Sequence, residues 1–446
     1  MNSCKAMFDR QSFSFTAFFI SVSLAVYPLA GYQLLLTGSV GLSLDRLFVF
    51  LAILSLIFSF ISGEIRRGRM PVLLVSLFVF HVILVSILFA NEINTFFLNM
   101  VLVNAYFLII VLAISNIPVM EKYIIRANKI AAFILIGFGF YSTINFLRTG
   151  LPELDLPFVS FIPFIIQKEG ELQLSGSSFI GSFIRLTLPF GRPQDYGLAT
   201  VMTAAILWWG RINSISGRFQ STVLVSTLLV LSILSGSRSI VYSLICAIVF
   251  ILFIKAKANL RKNSVGYVLK VTQAIVVLFL IIAFIDFQGN LEIFDRLIYG
   301  SDSSTTAHMD YRLYAIQEFD QAGFLNMLLG HGAGGFFART GVHSHVTFLA
   351  ILFDYGIIGL LLFISLFVYA YLLWLNVKKR IDVDEASVLG GILVFMFFSH
   401  TFYEFTTSTV SWIGLAFVIG ILMRRRRGIN YAASVDKRIK PIYSIS

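Results

Sequence analysis

Residues 356–376 read GIIGLLLFISLFVYAYLLWLN, and Lys378, Lys379 and Arg380 follow almost at once. The run carries no charged side chain. As a helix rising 1.5 Å per residue, it is long enough to cross the ~30 Å hydrocarbon core of a bilayer. Basic residues beside such a run are typical of its cytoplasmic end. This stretch therefore predicts a transmembrane helix whose carboxyl end is cytoplasmic.

Similar apolar runs fill most of the chain. Of its 446 residues, 58% are hydrophobic and 13% are charged, whereas about 25% are charged in soluble proteins. A chain this apolar could not cover its own surface with polar groups in water. We predict an all-α polytopic membrane protein of about twelve transmembrane helices, with residues 1–446 forming a single integral membrane domain. The runs lie near residues 13–35, 46–62, 71–90, 96–114, 130–148, 196–209, 220–235, 239–254, 267–286, 356–376, 386–402 and 408–423.

The basic residues predict topology rather than nucleic-acid binding. The net charge is +11, but 25 of the 34 Lys and Arg fall in connections that share one side when the amino terminus is cytoplasmic. We expect both termini in the cytoplasm, a basic cytoplasmic tail over residues 424–446, and no nucleic-acid partner. Cys4 and Cys246 fit neither a disulfide nor a zinc motif.

Two long segments fall on the opposite, periplasmic side. The first, residues 149–196, holds five of the nine prolines together with many apolar residues, which predicts a loop in or on the membrane interface. The second covers residues 287–355. Loops longer than about 12–15 residues are usually functional or disordered, and these two are too apolar for disorder. We therefore expect short interfacial helices in these loops, and part of an active site in the second.

Nine basic residues depart from the cytoplasmic pattern. Arginine is preferred where a planar group must bind phosphate or carboxylate with two hydrogen bonds. Eight of the nine are arginines, which favours anion binding on the outer side. They are Arg46, Arg148, Lys168, Arg185, Arg192, Arg238, Arg296, Arg312 and Arg339.

Arg238 closes the motif Ser235-Gly236-Ser237-Arg238 between two short apolar runs, 220–234 and 239–254. Such runs span less than the ~30 Å core, so their outer turn is expected to lie below the outer surface. An arginine within a membrane is costly and usually functional. The alternative is an arginine that extends to lipid headgroups.

Arg185 and Arg312 lie in apolar surroundings within the two long loops. Arg185 precedes the turn Phe190-Gly191-Arg192-Pro193, and Arg312 lies in a short helix predicted to end at Phe319. Each arginine fits an anion-binding site. Each also has an alternative: a lipid phosphate for Arg185, and a solvated amphipathic helix for Arg312.

His343 and His345 lie just before the run 356–376 on the outer side. A neutral imidazole there can accept a proton from a hydroxyl group near neutral pH. One alternative is a metal pair, although no third ligand is near in sequence; another is a histidine bonded to the start of a helix. The nearby Gly330-His331-Gly332-Ala333-Gly334-Gly335 matches G-x-G-x-x-G but follows no βαβ strand, so we expect no dinucleotide site.

Together these motifs resemble the O-antigen polymerase and ligase superfamily, which includes Wzy-type O-antigen polymerases and lipopolysaccharide O-antigen ligases. The resemblance runs from about Phe183 to the end of the run 356–376. It rests on an Arg before a Phe-Gly-x-Pro turn, a Ser-Arg turn, an Arg in a helix of the second loop, a Gly-x-Gly segment, and His-x-x-aromatic-Leu leading to Gly-Ile-Ile-Gly. Gln194 and Val346 stand where this pattern commonly has Asn.

The resemblance implies an inverting glycosyl transfer, without metal or cofactor, on a GT-C-like helical scaffold at the periplasmic face of a bacterial inner membrane. The donor would be an oligosaccharide on undecaprenyl diphosphate. Arg185, Arg238 and Arg312 would bind the diphosphate, and His345 would deprotonate or orient the acceptor hydroxyl. Secondary candidates are His343, Arg296 and Arg339.

Three functions remain open at this point. The first is an O-antigen polymerase of lipopolysaccharide biosynthesis, which joins lipid-linked repeat units. The second is a ligase that transfers the glycan to lipid A–core. The third is a transporter or flippase for the same glycan, although such carriers tend to have internal repeats and polar sites at mid-membrane. Expected partners are membrane lipids, a chain-length regulator and a flippase of the same pathway.

Overall fold

The structure, a computed structural model, describes residues 17–29, 32–37, 40–61, 71–89, 95–117, 120–149, 165–167, 186, 190, 193–259, 313–314, 316–340, 346–402 and 409–428. Its helices are α1 (Ala17–Leu29), α2 (Leu44–Ile61), α3 (Pro71–Phe89), α4 (Thr95–Asn116), α5 (Met120–Thr149), α6 (Pro193–Ile212), α7 (Arg218–Leu234), α8 (Arg238–Asn259), α9 (Phe324–Leu329), α10 (Gly335–Thr340), α11 (Thr347–Val377), α12 (Val383–Phe402) and α13 (Thr409–Arg426). Residues 313–314 and 316–320 are also helical.

The predicted helical class is therefore observed. A helix overlaps every predicted run except 267–286, which lies outside the described residues. Within the part of the chain that the structure describes, four helices are long and apolar enough to cross a membrane: Met120–Ile144, Ser239–Ala258, Thr347–Val377 and Val383–Thr401. The count of twelve spans stays a prediction.

A small antiparallel sheet was not predicted. It consists of β1 (Tyr32–Thr37), β2 (Val40–Ser43) and β3 (Ile165–Gln167) in the order β2-β1-β3. The run 13–35 was expected to be one helix, but α1 tightens into a 3-10 turn at Tyr27–Leu29 and the chain then becomes extended. Pro28 explains the change, because proline disfavours the α conformation in the residue before it.

The outer faces of several helices are apolar. On α3, Phe80, Ile87 and Leu88 are each more than 60% exposed. Large patches of this kind require an apolar surrounding. Several serine and threonine side chains bond within their own helices; for example, Thr143 donates to the Gly139 carbonyl at 2.7 Å. Both observations fit a protein embedded in a membrane.

Helix α13 forms the centre of the bundle. Every side chain from 410 to 425 is buried, as expected for a helix that is apolar on all sides and enclosed by others. Trp412 packs against Phe78, Phe107 and Phe363 with ring centroids 5.2–5.8 Å apart. The last predicted span is thus the core element.

One end of the bundle holds a buried ionic network, and we call it the charged end. Arg425 donates from Nε to Glu385 at 3.0 Å and from NH1 to Glu121 at 3.1 Å. Arg424 Nε lies 3.2 Å from Glu121, and Trp209 Nε1 donates to Glu385 at 3.1 Å. Two arginines thus balance two glutamates, as buried charges require.

The network includes the first residues of the predicted basic cytoplasmic tail, 424–446. Arg424 and Arg425 belong to α13 and are 1% and 7% exposed. Glu121 in the first turn of α5 and Glu385 in the first turn of α12 meet them there, which a one-dimensional charge pattern does not reveal.

The opposite end, which we call the loop end, holds the 235–237 turn, residues 330–340 and the start of α11. At the charged end, Lys255 of α8 lies 2.6 Å from Asp384 of α12. The two helices are antiparallel, so the first residue of α8 and the last turn of α12 lie together at the loop end. Helix α8 continues to Asn259, beyond the predicted limit of 254.

Candidate active site

Helix α11 is broken at Gly356. This residue has φ 66° and ψ −172°, whereas the residues on both sides are helical. That conformation is essentially restricted to glycine. An added Cβ would also overlap the main-chain carbonyl of Leu328 in α9. The helix begins at Thr347 rather than at the predicted 356. Its first nine residues, 347–355, form a separate short helix that ends at the break, and we call this short helix the rod.

The break leaves the last carbonyls of the rod without partners in their own helix, as at any helix carboxyl end. The carbonyls of Phe353, Asp354 and Tyr355 each accept a hydrogen bond from another part of the chain. Two bonds come from the segment 330–336, which we call the glycine loop, and one comes from α3. They are His331 N–H to Phe353 O at 3.1 Å, Gly332 N–H to Asp354 O at 2.8 Å, and His81 Nε2–H to Tyr355 O at 3.0 Å.

The Asp354 side chain binds the same loop a second time. Its Oδ2 accepts the Gly334 N–H and its Oδ1 accepts the Phe336 N–H, both at 3.0 Å. The carboxylate is 4% exposed. Bonds from backbone N–H groups to a buried carboxylate are among the stronger hydrogen bonds in proteins. The loop is therefore held to the broken helix by main-chain and side-chain bonds together.

His331 lies in the glycine loop against Phe353, with ring centroids 4.5 Å apart. Its Nε2 is buried and accepts or donates no hydrogen bond in the part of the chain that the structure describes. The pKa of His331 is lowered to about 4, mainly by burial and in addition by the positive charge of Arg339, while Glu318 opposes the shift. The imidazole is therefore neutral near pH 7.

The start of α11 is anchored to α12. Thr347, its first residue, is fully buried, and its Oγ1 lies 3.0 Å from His400 Nδ1. Val346 before it is extended, with φ −143° and ψ 124°. Position 345 therefore immediately precedes two residues with fixed conformations.

The turn before Arg238 is buried as well. Ser235 donates to the Ser232 carbonyl at 2.6 Å, and the Ser237 and Ser239 hydroxyls lie 3.0 Å apart. Ser235 and Ser237 are 0% and 4% exposed. A turn with buried serines fits the expectation that this helix pair ends within the bundle rather than above it.

The segment near Arg185 approaches the same turn. The Leu186 N–H donates to the Leu234 carbonyl at 3.4 Å, and Phe190 stacks on Tyr27 with centroids 6.5 Å apart. Position 185 is therefore next to a residue bonded to the end of α7, and Arg238 begins the following helix. The structure thus brings Leu186 to the end of α7, next to the turn that precedes Arg238.

The predicted site residues are described to different extents. Arg238 is the first residue of α8, and Arg339 is exposed in the last turn of α10. The remaining predicted site residues lie outside the described residues: Arg185, Arg296, Arg312, His343 and His345. Among described residues, no three His, Cys, Asp or Glu side chains lie together as a metal site would require.

Sequence reasoning missed three contributors: Asp354, His331 and the Thr347–His400 pair. The signal for Asp354 was present, since a carboxylate two residues before a glycine in a long apolar run is costly unless it is bonded. The pairing of Thr347 with His400 joins residues 53 apart in sequence, and no local pattern indicates it.

The fold and the loop end define a class: a helical membrane-embedded protein whose broken helix and buried turns gather polar groups at one end of the bundle. Residues 221–364 match the family model described as O-antigen ligase. This match supports the O-antigen polymerase and ligase superfamily, whose motifs the sequence resembles. No curated protein matches the chain.

Proposed function

We propose that the protein is an O-antigen polymerase. It transfers a glycan from undecaprenyl diphosphate to the terminal sugar hydroxyl of another lipid-linked repeat unit, at the periplasmic face of a bacterial inner membrane. In this proposal the loop end is periplasmic and the charged end is cytoplasmic.

The proposal rests on which residues match the family model. Residues 221–364 begin in α7 and end in α11. They include the turn before Arg238, the glycine loop and the break at Gly356. The part of the chain that matches the family thus includes these three features of the loop end.

The proposed reaction is a single displacement with inversion. The acceptor hydroxyl oxygen attacks the anomeric carbon of the donor, and the bond from that carbon to the diphosphate oxygen breaks. The hydroxyl proton passes to His345, and the diphosphate leaves with the bonding electron pair. Arg185, Arg238 and Arg312 offset the negative charge that develops on the leaving group.

The direct test is chain extension by purified protein. Detergent-solubilised protein is incubated with a synthetic undecaprenyl-diphosphate glycan, without ATP and without an ion gradient, and the products are separated by mass. We expect products lengthened by whole repeat units. A protein that binds the glycan but transfers it neither to a second lipid-linked unit nor to added lipid A–core would be a carrier, and the transferase proposal would fail.

Polymerase and ligase share a donor and differ in acceptor. The family description names a ligase, so this second function has its own observation in its favour. Deleting the gene distinguishes them: a core capped by a single repeat unit indicates a polymerase, whereas bare core with accumulated lipid-linked polymer indicates a ligase.

A further inference from the structure

We propose that Asp354 is a positioning residue of the transferase: it anchors the glycine loop to the broken helix and so fixes the short rod 347–355 that follows His345. The inference rests on the proposed function for its kinetic consequence, but not for its structural one. His345 directly precedes Val346 and Thr347 in sequence, so a shift of this rod would shift the point of the chain to which His345 is joined.

Besides the packing of its buried side chains, the rod is held by hydrogen bonds at both ends and along one side. It is nine residues long, from Thr347 to Tyr355, and it ends at Gly356, where the backbone leaves the helical conformation. Its amino end is bonded to His400 and its carboxyl end to His81. Those bonds hold its two ends to α12 and α3, while the bonds to the glycine loop hold the side that faces α9 and α10.

Asp354 suits this role because each carboxylate oxygen accepts a different N–H of the loop. An asparagine has one carbonyl oxygen and one NH2 group. At this site its NH2 group would face a backbone N–H, which cannot accept, so one loop donor would lose its partner in a buried place. Asp354→Asn should therefore release the loop without changing the size of the side chain.

The first measurement is loop accessibility, which needs no activity. In a variant with Cys4→Ser, Cys246→Ser and Ala333→Cys, the single thiol lies in the glycine loop, where Ala333 is half-buried. We expect N-ethylmaleimide to label purified Asp354→Asn protein on the order of tenfold faster, because opening the loop exposes the thiol. Asp354→Glu, which keeps both acceptors, should restore most of the slow labelling.

The second measurement is kinetic. Small displacements of catalytic groups lower turnover more than binding, so Asp354→Asn should reduce kcat on the order of 10–100-fold with KM changed less than about twofold. The matched control is Asp382→Asn, because Asp382 also accepts a backbone N–H, from Asp384 at 2.7 Å, but is exposed at the charged end. This control should leave both kinetic constants unchanged.

Gly330→Ala tests the same contact without altering Asp354. Gly330 has φ 89°, and an added Cβ would overlap the main chain of Asp354. Its control is Gly323→Ala, with φ −60° and open space around the added Cβ. If Asp354→Asn does not fold, faster labelling in Gly330→Ala and unchanged labelling in Gly323→Ala still support the anchor.

Three results would overturn the inference: labelling of Ala333→Cys unaffected by Asp354→Asn or Gly330→Ala, an unchanged kcat, or a raised KM with normal kcat, which would make Asp354 a substrate-binding residue. A wild-type protein without any transfer activity would contradict the proposed function instead. The labelling results would then still decide whether the anchor exists.

Discussion

At the residue scale, the proposed chemistry depends on guanidinium groups and an imidazole from distant parts of the chain. Arg238 begins α8 directly after two buried serines, and Leu186, next to Arg185, is bonded to the end of α7. The backbone of Arg238 is therefore placed by the 235–237 turn, and Leu186 is placed by the end of α7. An anionic diphosphate near Arg238 would meet a donor whose backbone position is fixed before it binds.

Arg238→Lys should reduce transfer although the charge is kept. The planar guanidinium can bind a diphosphate with two parallel hydrogen bonds, which an ammonium group cannot do. We expect kcat/KM to fall on the order of tenfold or more. Initial rates of chain extension measure it. Arg218→Lys is the control, because Arg218 is the exposed first residue of α7 at the charged end; similar losses in both variants would contradict a role in diphosphate binding.

His345→Ala should nearly abolish chain extension while the protein still inserts and purifies normally. A positioned general base contributes about 10²–10⁴-fold to a rate, and the turnover rate should fall by a factor in that range. His308→Ala is the comparison, because His308 lies in the same predicted loop but in none of the motifs. Retained turnover in His345→Ala would remove His345 as the base.

At the element scale, the decisive feature is the division of α11 into two parts. The second part is an ordinary apolar span, and the first is a short rod whose terminal carbonyls bond to the glycine loop and to His81. This division converts three carbonyls into acceptors for other elements. It therefore joins α3, the glycine loop and α11 at one point, without using charged side chains for those three bonds.

Gly356→Ala should lower the stability of the protein. Alanine at φ 66° is strained, and its Cβ would overlap the Leu328 carbonyl. We expect a loss on the order of 3 kcal/mol, because backbone strain and steric overlap add. Thermal unfolding followed by fluorescence-detected size exclusion measures the change. Gly217→Ala, with φ −59° and nothing near the added Cβ, should be close to neutral; an equal melting temperature for both would argue against the break.

At the scale of the whole molecule, the bundle has two chemically different ends. The charged end holds the buried ionic network that joins α5, α6, α12 and α13. The loop end holds buried serines, histidines and a carboxylate bonded to backbone. Because the central helix α13 ends in the network, the network fixes this helix along the bundle axis.

Glu121→Gln should destabilise the whole bundle. It would leave Arg424 and Arg425 with one carboxylate between them, and removing one member of a buried charge pair typically costs about 3–5 kcal/mol. The melting temperature in detergent measures the effect. Asp384→Asn breaks only an ion pair with Lys255 in which the aspartate side chain is 55% exposed, so less than about 1 kcal/mol should be lost. Equal losses would contradict a structural role for the network.

The topology prediction is tested by accessibility. Single cysteines introduced at positions 238, 312 and 345 should react with a membrane-impermeant maleimide from the periplasmic side, and one at position 218 should react only from the cytoplasm. The reason is the strong excess of Lys and Arg on the cytoplasmic side of inner-membrane proteins. Placement of 238, 312 and 345 on different sides would exclude a shared site.

The sequence by itself determined the helical class and most helix positions, because a run of apolar residues must either be buried or enter lipid, whatever the rest of the chain does. It also indicated the 235–238 turn and the motifs that resemble the superfamily, which the match over residues 221–364 supports. These features are local, so spacing and composition were sufficient to predict them.

Only the tertiary structure decided which polar groups meet. The partners of Asp354 lie 18 and 20 residues away, Thr347 and His400 are 53 apart, and Arg425 and Glu121 are 304 apart. Within a bilayer each such group must find a bond inside the protein, but its sequence neighbours are apolar and cannot supply one. The local sequence therefore indicates that a polar group needs a hydrogen-bond partner. Which residue becomes that partner depends on how the helices pack.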